Sequence, residues 1–357
     1  MKPGNYFYKD QPLFGMDIGF SSVKVMQTVD TGKERQVVGY GVAPFPSTAI
    51  KDGVIEDVQS LAEAVKKMFD QSIIGEITTR NVAFSIPATR TFTRTLNLPT
   101  IKPDEIPDAV VLEAEQYIPM PINELYIDHV VLSNTEKGIE VLAVAVPKKI
   151  VDSYIHLANV IGVTPVAFDT SILAAARLFK KQDDHNDIPA VLVDFGSMST
   201  DITVHDKTVI VTSTLPKGGD MFTETISKTL KVSFQEAHVI KTKYGISKSK
   251  KQQEILNALK PAIDQLAKEI QRMIRYHEER NESKEKIGQI VAMGGGANMP
   301  GLSDYLTDSI RLPVRTCEPL RNFNLQKLRP PSTVEKSMYV TVAGLSLIQP
   351  GELFSND

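Results

Sequence analysis

Asp17-Ile18-Gly19 and Asp194-Phe195-Gly196 head two short segments that read as copies of one device. The first runs Leu13-Phe14-Gly15-Met16-Asp17-Ile18-Gly19-Phe20-Ser21-Ser22-Val23-Lys24-Val25. The second runs Val191-Leu192-Val193-Asp194-Phe195-Gly196-Ser197-Met198-Ser199-Thr200-Asp201-Ile202-Thr203-Val204. Each has an apolar run, Asp-x-Gly, small hydroxyl residues and a second β-rich run. That order predicts a hairpin whose tight turn offers backbone N–H groups, hydroxyls and one carboxylate. Such a turn suits a phosphate tail with a divalent cation: the amides bind the anion, and the carboxylate reaches the cation through water. A single Asp-x-Gly after a strand is only a turn. A repeated pair implies two similar domains gripping one nucleotide between them.

Other residues could join that chemistry. Gly294-Gly295-Gly296-Ala297 follows a strand-like run and precedes a helical one. Glycines there let a ligand approach the backbone, and a helix N-terminus favours negative or polar groups. The alternative is a plain tight turn, and the same choice applies to Gly218-Gly219. Lys24 either points toward phosphates or is an ordinary exposed strand lysine. Asp169, at the start of an expected helix over 169–180, is either an N-cap or a carboxylate that orients water near a terminal phosphate. The lysines at 241, 243, 248, 250 and 251 read as a solvated face. No P-loop, Ser-His-Asp order or dinucleotide fingerprint is present.

Composition bounds the rest. At 357 residues the chain has room for two domains, and 42 % hydrophobic with 23 % charged residues is ordinary for a soluble globular protein. A net charge of −3 favours neither nucleic acid nor an anionic membrane. One cysteine, Cys317, rules out an intrachain disulfide and a thiolate zinc cage, and fits a reducing cytosol. The six histidines lack metal-ligand spacing. The first residues lack a signal-peptide core, and no apolar run approaches ~18 residues, so membrane association is expected only through a partner.

The elements that must position these residues follow from periodicity. Residues 1–10 read as a loose arm, and 13–45 as strands broken by a turn at Asp30-Thr31-Gly32-Lys33. Helical spacing predicts a helix over 57–70. Val82–Pro87 reads as a buried strand, and residues 88–165 as a β-α-β-β-α subdomain inserted into the first half. Gln182–Asp187 reads as a polar linker. Ile255, Leu259, Ile263, Leu266, Ile270 and Ile274 form one stripe of a long amphipathic helix. Residues 335–348 read as a final apolar helix.

The order Asp17-x-Gly19, connecting helix, Asp194-x-Gly196, Gly294-Gly295-Gly296 and apolar C-terminal helix resembles the actin-like ATPase superfamily. Lys51-Asp52-Gly53-Val54-Ile55, Pro216-Lys217-Gly218-Gly219-Asp220 and Tyr244-Gly245 are similar to segments of its FtsA and PilM branch. Glu113-Ala114-Glu115-Gln116-Tyr117-Ile118-Pro119-Met120-Pro121 resembles the PilM-family signature of a helix ending in a Tyr-Ile-Pro-x-Pro turn. The resemblance spans about residues 12 to 349. It implies an α/β, actin-like ATPase fold with two similar domains around a nucleotide cleft. It divides the chain into a first domain at 1–84, an FtsA/PilM-type inserted subdomain at 85–165 and a connecting helix at 166–186. A second domain at 187–330 and a returning C-terminal helix at 331–357 complete it.

The resemblance further implies ATP and Mg²⁺ as ligands. Asp17 and Asp194 would face Mg²⁺. Gly19, Ser21, Ser22, Lys24, Gly196, Ser199 and Thr200 would face phosphates. Gly218, Gly219 and Lys241 would lie near the sugar, and Gly294, Gly295, Gly296 and Ala297 near adenosine. Asp169 would be the catalytic carboxylate. It stands where many relatives carry Glu or Gln, which implies slow turnover, and His238 stands where relatives often carry Glu. The partner implied is the cytoplasmic N-terminal tail of PilN, held in a groove beside the insert, with Tyr117, Ile118 and Pro119 either lining that groove or closing the insert's core. Pilus motor ATPases and further copies of the chain are the other implied partners, and the location implied is cytoplasmic, against the inner membrane. A small-molecule kinase or phosphatase of the same superfamily, or an FtsA-like cell-division filament, are the competing readings. The acidic ending Gly351-Glu352-Leu353-Phe354-Ser355-Asn356-Asp357 is unlike the basic amphipathic foot of the latter.

Overall fold

A computed structural model of the chain describes residues 12–136, 138–182, 188–280 and 285–349. The expected arm at 1–10, most of the expected linker and the acidic ending lie outside the described residues. The chain opens with β1 (Phe14–Ile18), β2 (Ser22–Asp30) and β3 (Arg35–Pro44). Their β-branched and aromatic residues suit a buried pleated surface, and the Asp30 carboxylate accepts the Gly32 amide (2.8 Å) in the turn between β2 and β3. A hairpin of β4 (Ile50–Lys51) and β5 (Val54–Ile55) turns through Asp52 and Gly53, both at positive φ, which an Asp-Gly pair favours. Helix α1 (Val58–Gln71) starts where the Asp57 carboxylate accepts the Ser60 amide (3.0 Å), and it buries Leu61, Val65 and Met68. Strands β6 (Ile74–Gly75) and β7 (Asn81–Ile86) follow.

The inserted unit is β8 (Phe92–Leu98), α2 (Ile106–Tyr117), β9 (Leu125–Thr135) and β10 (Gly138–Pro147). Its sheet order is β8-β10-β9, and Leu96, Leu98, Ile106, Val110, Ile139 and Val141 form its core. The next two elements, α3 (Lys148–Ile161) and β11 (Thr164–Thr170), return to the first domain. Ile150, Tyr154 and Leu157 of α3 share a core with Phe14, Leu61 and Phe84, and β11 pairs in parallel with β7. The insert therefore closes near 147, earlier than the expected 165. The apolar stripe of α3 finds its partner in strands far away in sequence, which local periodicity does not reveal.

Helix α4 (Ser171–Gln182) leads to β12 (Ala190–Phe195), β13 (Thr200–Asp206) and β14 (Thr208–Leu215). Three helices follow: α5 (Gly219–Leu230), α6 (Phe234–Lys243) and α7 (Gln252–Arg280). The six stripe residues of α7, Ile255 to Ile274, are all buried in one core with Ile202, Val204 and Ile290. Then come β15 (Gln289–Met293), α8 (Leu302–Ile310), β16 (Val314–Thr316), β17 (Phe323–Asn324), α9 (Thr333–Lys336) and α10 (Val340–Leu345).

Two sheets repeat one topology. The first contains the order β3-β2-β1-β7-β11 and the second β14-β13-β12-β15-β16. In each, the first three strands pair antiparallel and the last two add in parallel. Between them pack α4 and α10. Every residue of α10 is buried, as befits a helix enclosed on all sides. A side chain on Gly344 would sit 1.9 Å from the Ala174 carbonyl oxygen, so this glycine sets how closely α10 approaches α4. The expected single helix over 335–348 is segmented: α9, a 3₁₀ turn at Ser337–Tyr339, then α10. The tight turn brings Ser337 and Met338 to the space between the two sheets.

Candidate functional site

In the first hairpin, cross-strand register sets Asp17 opposite Lys24. The Lys24 ammonium donates to Asp17 Oδ2 (3.1 Å), and Ser85, on β7, donates to Asp17 Oδ1 (2.5 Å). Lys24 is buried, so it is not the exposed strand lysine of the alternative reading. The Gly19 amide closes the turn onto the Ser22 carbonyl (3.0 Å).

The second hairpin repeats the register with one change. Asp194 is paired with Asp201, so a carboxylate occupies the slot that holds Lys24 in the first copy. Thr214 donates to Asp201 Oδ1 (2.5 Å). Burial, then the charges of Asp201 and Asp17, push the Asp194 carboxyl up to about 7, with Lys24 opposing them. Burial also raises Asp201, against the hydrogen bond from Thr214. Gly294 has φ +75°, and a Cβ there would lie 2.2 Å from Asp194 Oδ1. Only glycine leaves that carboxylate its place.

Both turns open onto one cleft of about 510 Å³. Of the residues singled out in the sequence, Asp17, Gly19, Ser21, Ser22 and Lys24 line it from one side. Asp194, Gly196, Ser199, Gly219, Lys241, Gly294 and Gly295 line it from the other. Lys241 departs from the solvated face expected for its stretch. It is buried, its ammonium donates to the Gly219 carbonyl (2.7 Å), and burial lowers its pKa. Lys243, Lys248, Lys250 and Lys251 are exposed as expected. His238 also faces the cleft, its pKa lowered by burial and by the Lys241 charge.

Several expected contacts lie elsewhere. Thr200 is buried and its hydroxyl is committed to the Lys217 carbonyl (2.8 Å). Gly218 packs against the Ser197 and Gly196 carbonyls, and Gly296 against Phe195. Ala297 belongs to the second domain's core and edges a neighbouring cavity. Asp169 does not start a helix: it is the penultimate residue of β11, ion-paired with Arg177 (2.7 Å). The hydroxyl that accepts the Leu173 amide at the head of α4 is that of Thr170. In the insert, Ile118 is buried and Tyr117 packs beneath Arg94, whereas Pro119 is exposed. Sequence reasoning missed Ser85, Asp201 and Thr214. Asp201 was legible, since it follows Asp194 at the same interval at which Lys24 follows Asp17.

The cleft suits an anionic ligand carrying a divalent cation. Lys241 presents a buried ammonium that has no carboxylate in ion-pair contact among the described residues. Asp194 is a carboxyl that a cation would relieve of its proton. No group of three or more potential metal ligands is assembled among the described residues. A hard cation here would take its remaining ligands from phosphate oxygens and water.

A profile of the family described as type IV pilus assembly protein PilM matches residues 15–349. The chain belongs to this family. Its curated relatives include cell division protein FtsA of Streptococcus pneumoniae, 24% identical over 355 residues, covering 85% of this chain and 75% of that one. FtsA of Pseudomonas aeruginosa is 24% identical over 378 residues, covering 93% and 88%. Among solved structures, a PilM-PilN type IV pilus biogenesis complex aligns with a TM-score of 0.83 at 21% identity, over 95% of this chain and 98% of that chain. MreB5 of Spiroplasma citri, bound to AMPPNP, aligns with a TM-score of 0.54 at 14% identity, over 94% and 95%. The duplicated sheets are thus those of the actin-like ATPase fold, and the FtsA relatives fit its FtsA-like branch. Among the described residues, no helix of this PilM-family chain is long and apolar enough to cross a membrane.

Proposed function

We propose that this chain is an ATP-controlled assembly module of the type IV pilus machine. It holds Mg-ATP between its two halves and an extended PilN-type N-terminal peptide beside its insert. Through that peptide it joins the inner-membrane complex, on the cytoplasmic side, to the motor ATPases. The observation that carries this reading is the pair of Asp-x-Gly turns opening onto one cleft, with Lys24 and Lys241 on either side.

In the cleft, Asp17 and Asp194 would hold the cation, and Ser21, Ser22 and Ser199 would meet phosphate oxygens. Gly219, Lys241 and His238 would meet the sugar, and Gly294 and Gly295 the adenosine. The chemistry ATP supplies is a transferable terminal phosphoryl group, and the protein's part is to position and neutralise it. Asp169, tied to Arg177 by an ion pair and outside the cleft lining, is not assigned to that task. An extended peptide docks on a groove or a free strand edge, and β8 and β9 are both edge strands.

Calorimetric titration with a synthetic PilN-type N-terminal peptide, with and without Mg-ATP, tests the proposal. Saturable binding that changes with Mg-ATP is expected. Absence of peptide binding in both conditions overturns the assembly role. Undiminished ATP affinity in Asp194→Ala overturns the assigned cleft.

A further inference from the structure

Among the described residues, Lys24, Lys241 and Arg90 are the lysines and arginines that line the cleft. The two lysines are buried and engaged, Lys24 with Asp17 and Lys241 with the Gly219 carbonyl. Arg90 differs from both. Its side chain is 44% exposed, and its guanidinium donates to Asp52 Oδ1 (2.5 Å), on a carboxylate itself 62% exposed. An ion pair in such contact with water is weak, because solvent screens both partners. Of the three cations, Arg90 alone can change partner at little cost.

The local fold fixes the stem of Arg90 and leaves its head to turn. Asp52 and Gly53 form the tip of the β4–β5 hairpin, both at positive φ. A Cβ on Gly53 would lie 2.9 Å from Arg90 Cγ and 3.2 Å from Ile150 Cδ1. The aliphatic stem therefore crosses the hairpin where no side chain stands. The Arg90 amide donates to the Pro87 carbonyl (3.0 Å), closing the 3₁₀ turn Ala88–Arg90. Beyond the stem, a guanidinium is planar, always charged and shaped for paired oxygens, and phosphate satisfies it as well as carboxylate does. Arg90 and Asp52 stand on the half of the cleft that carries the Asp17 turn. In the reading above, the sugar lies against the other half, at Gly219 and Lys241. The phosphate furthest from the sugar is then the one that reaches the Arg90 rim.

We propose that Arg90 reads the third phosphate of the nucleotide. Its guanidinium rests on Asp52 when that phosphate is absent and transfers to it when it is present. Asp52 is thus a stand-in anion that keeps the arginine at the rim. The inference rests on the nucleotide reading of the cleft and deepens it: one exchange of ion-pair partners separates a nucleoside triphosphate from a diphosphate. Arg90 stands two residues before β8, so the exchange acts at the root of the insert.

Calorimetric titration of the full chain with Mg-ADP and with Mg-AMPPNP, whose third phosphate resists hydrolysis, tests the proposal through the ratio of the two affinities. Arg90→Ala is expected to lower the preference for the triphosphate about tenfold, the loss of a charged hydrogen bond. Arg90→Lys keeps the charge without the fork and should fall between. Asp52→Asn, in a residue type that tolerates positive φ, frees the arginine and should raise the preference about 2- to 5-fold. A variant that merely failed to fold could not give that rise. Lys51→Ala removes an exposed positive charge from the same hairpin, outside the cleft lining, and is expected to leave the ratio unchanged. An unchanged ratio in Arg90→Ala, a lowered one in Asp52→Asn, or an equal loss in Lys51→Ala overturns the sensor while leaving the cleft assignment in place. A wild-type protein that binds neither nucleotide overturns the cleft reading itself, and the sensor with it.

Discussion

Asp194 sits where three effects meet: removal from water, the neighbouring carboxylates Asp201 and Asp17, and the opposing Lys24. Its folded-state pKa of about 7 lies above the ordinary value of 3.8. Across that window the native state holds a proton that the unfolded chain has released. Stability from this group is therefore present at low pH, falls as pH rises toward 7, and levels off beyond. Asp194→Asn is expected to remove that slope from a series of denaturant melts. A bound divalent cation competes with the same proton, so Mg-ATP affinity is expected to rise through neutral pH. Asp201→Asn removes a neighbouring charge while keeping an acceptor for Thr214, and should move the midpoint of that rise to lower pH in titrations across the range. Asp169 presents the opposite case. Its sequence position suggested catalysis, but its carboxylate is held by Arg177 (2.7 Å). Asp169→Asn is expected to cost about 1–3 kcal/mol of stability through the weakened charged hydrogen bond and to leave ATP affinity unchanged by calorimetry.

The elements that could be read in advance are those whose pattern is local. The two hairpins announce themselves through repeated Asp-x-Gly turns, and α7 through an apolar stripe from Ile255 to Ile274 that the core buries as a unit. Elements decided by distant partners were harder to read. Asp169-Thr170 reads as a helix start, yet β7 recruits it into a parallel strand. The C-terminal segment is apolar throughout, so its sequence gives no face and no break, and the 3₁₀ turn at Ser337–Tyr339 forms beside the cleft. The contact of α10 with α4 depends on one missing side chain. Gly344→Ala would set a Cβ 1.9 Å from the Ala174 carbonyl oxygen, a backbone atom that cannot step aside. Forcing the helices apart is expected to lower stability by about 1–3 kcal/mol in denaturant melts. An exposed glycine with open space around it, Gly32, is the matching control, with its cost confined to the φ of +78°.

At the scale of the molecule, the cleft and the insert share a root. Pro87, Thr89 and Arg90 line the cleft, and β8 of the insert begins at Phe92. Arg90 pairs with Asp52 across the rim (2.5 Å), and the Ala88 amide is held by the Ser171 hydroxyl at the head of α4 (3.3 Å). A ligand that draws the two halves together therefore acts on the segment from which the insert is hung. If Mg-ATP prefers the closed arrangement, it shifts the orientation in which the insert meets a peptide, by no more than its difference in affinity for the two arrangements. Linkage then demands symmetry: the factor by which Mg-ATP changes peptide affinity must equal the factor by which peptide changes Mg-ATP affinity. Couplings of this kind run to about 5–150-fold. Calorimetry in both orders is expected to return one factor, and Arg90→Ala, which cuts the rim pair, to reduce it in both orders alike. Peptide and nucleotide that each bind with unchanged affinity in the presence of the other would leave cleft and insert as two independent sites on one fold.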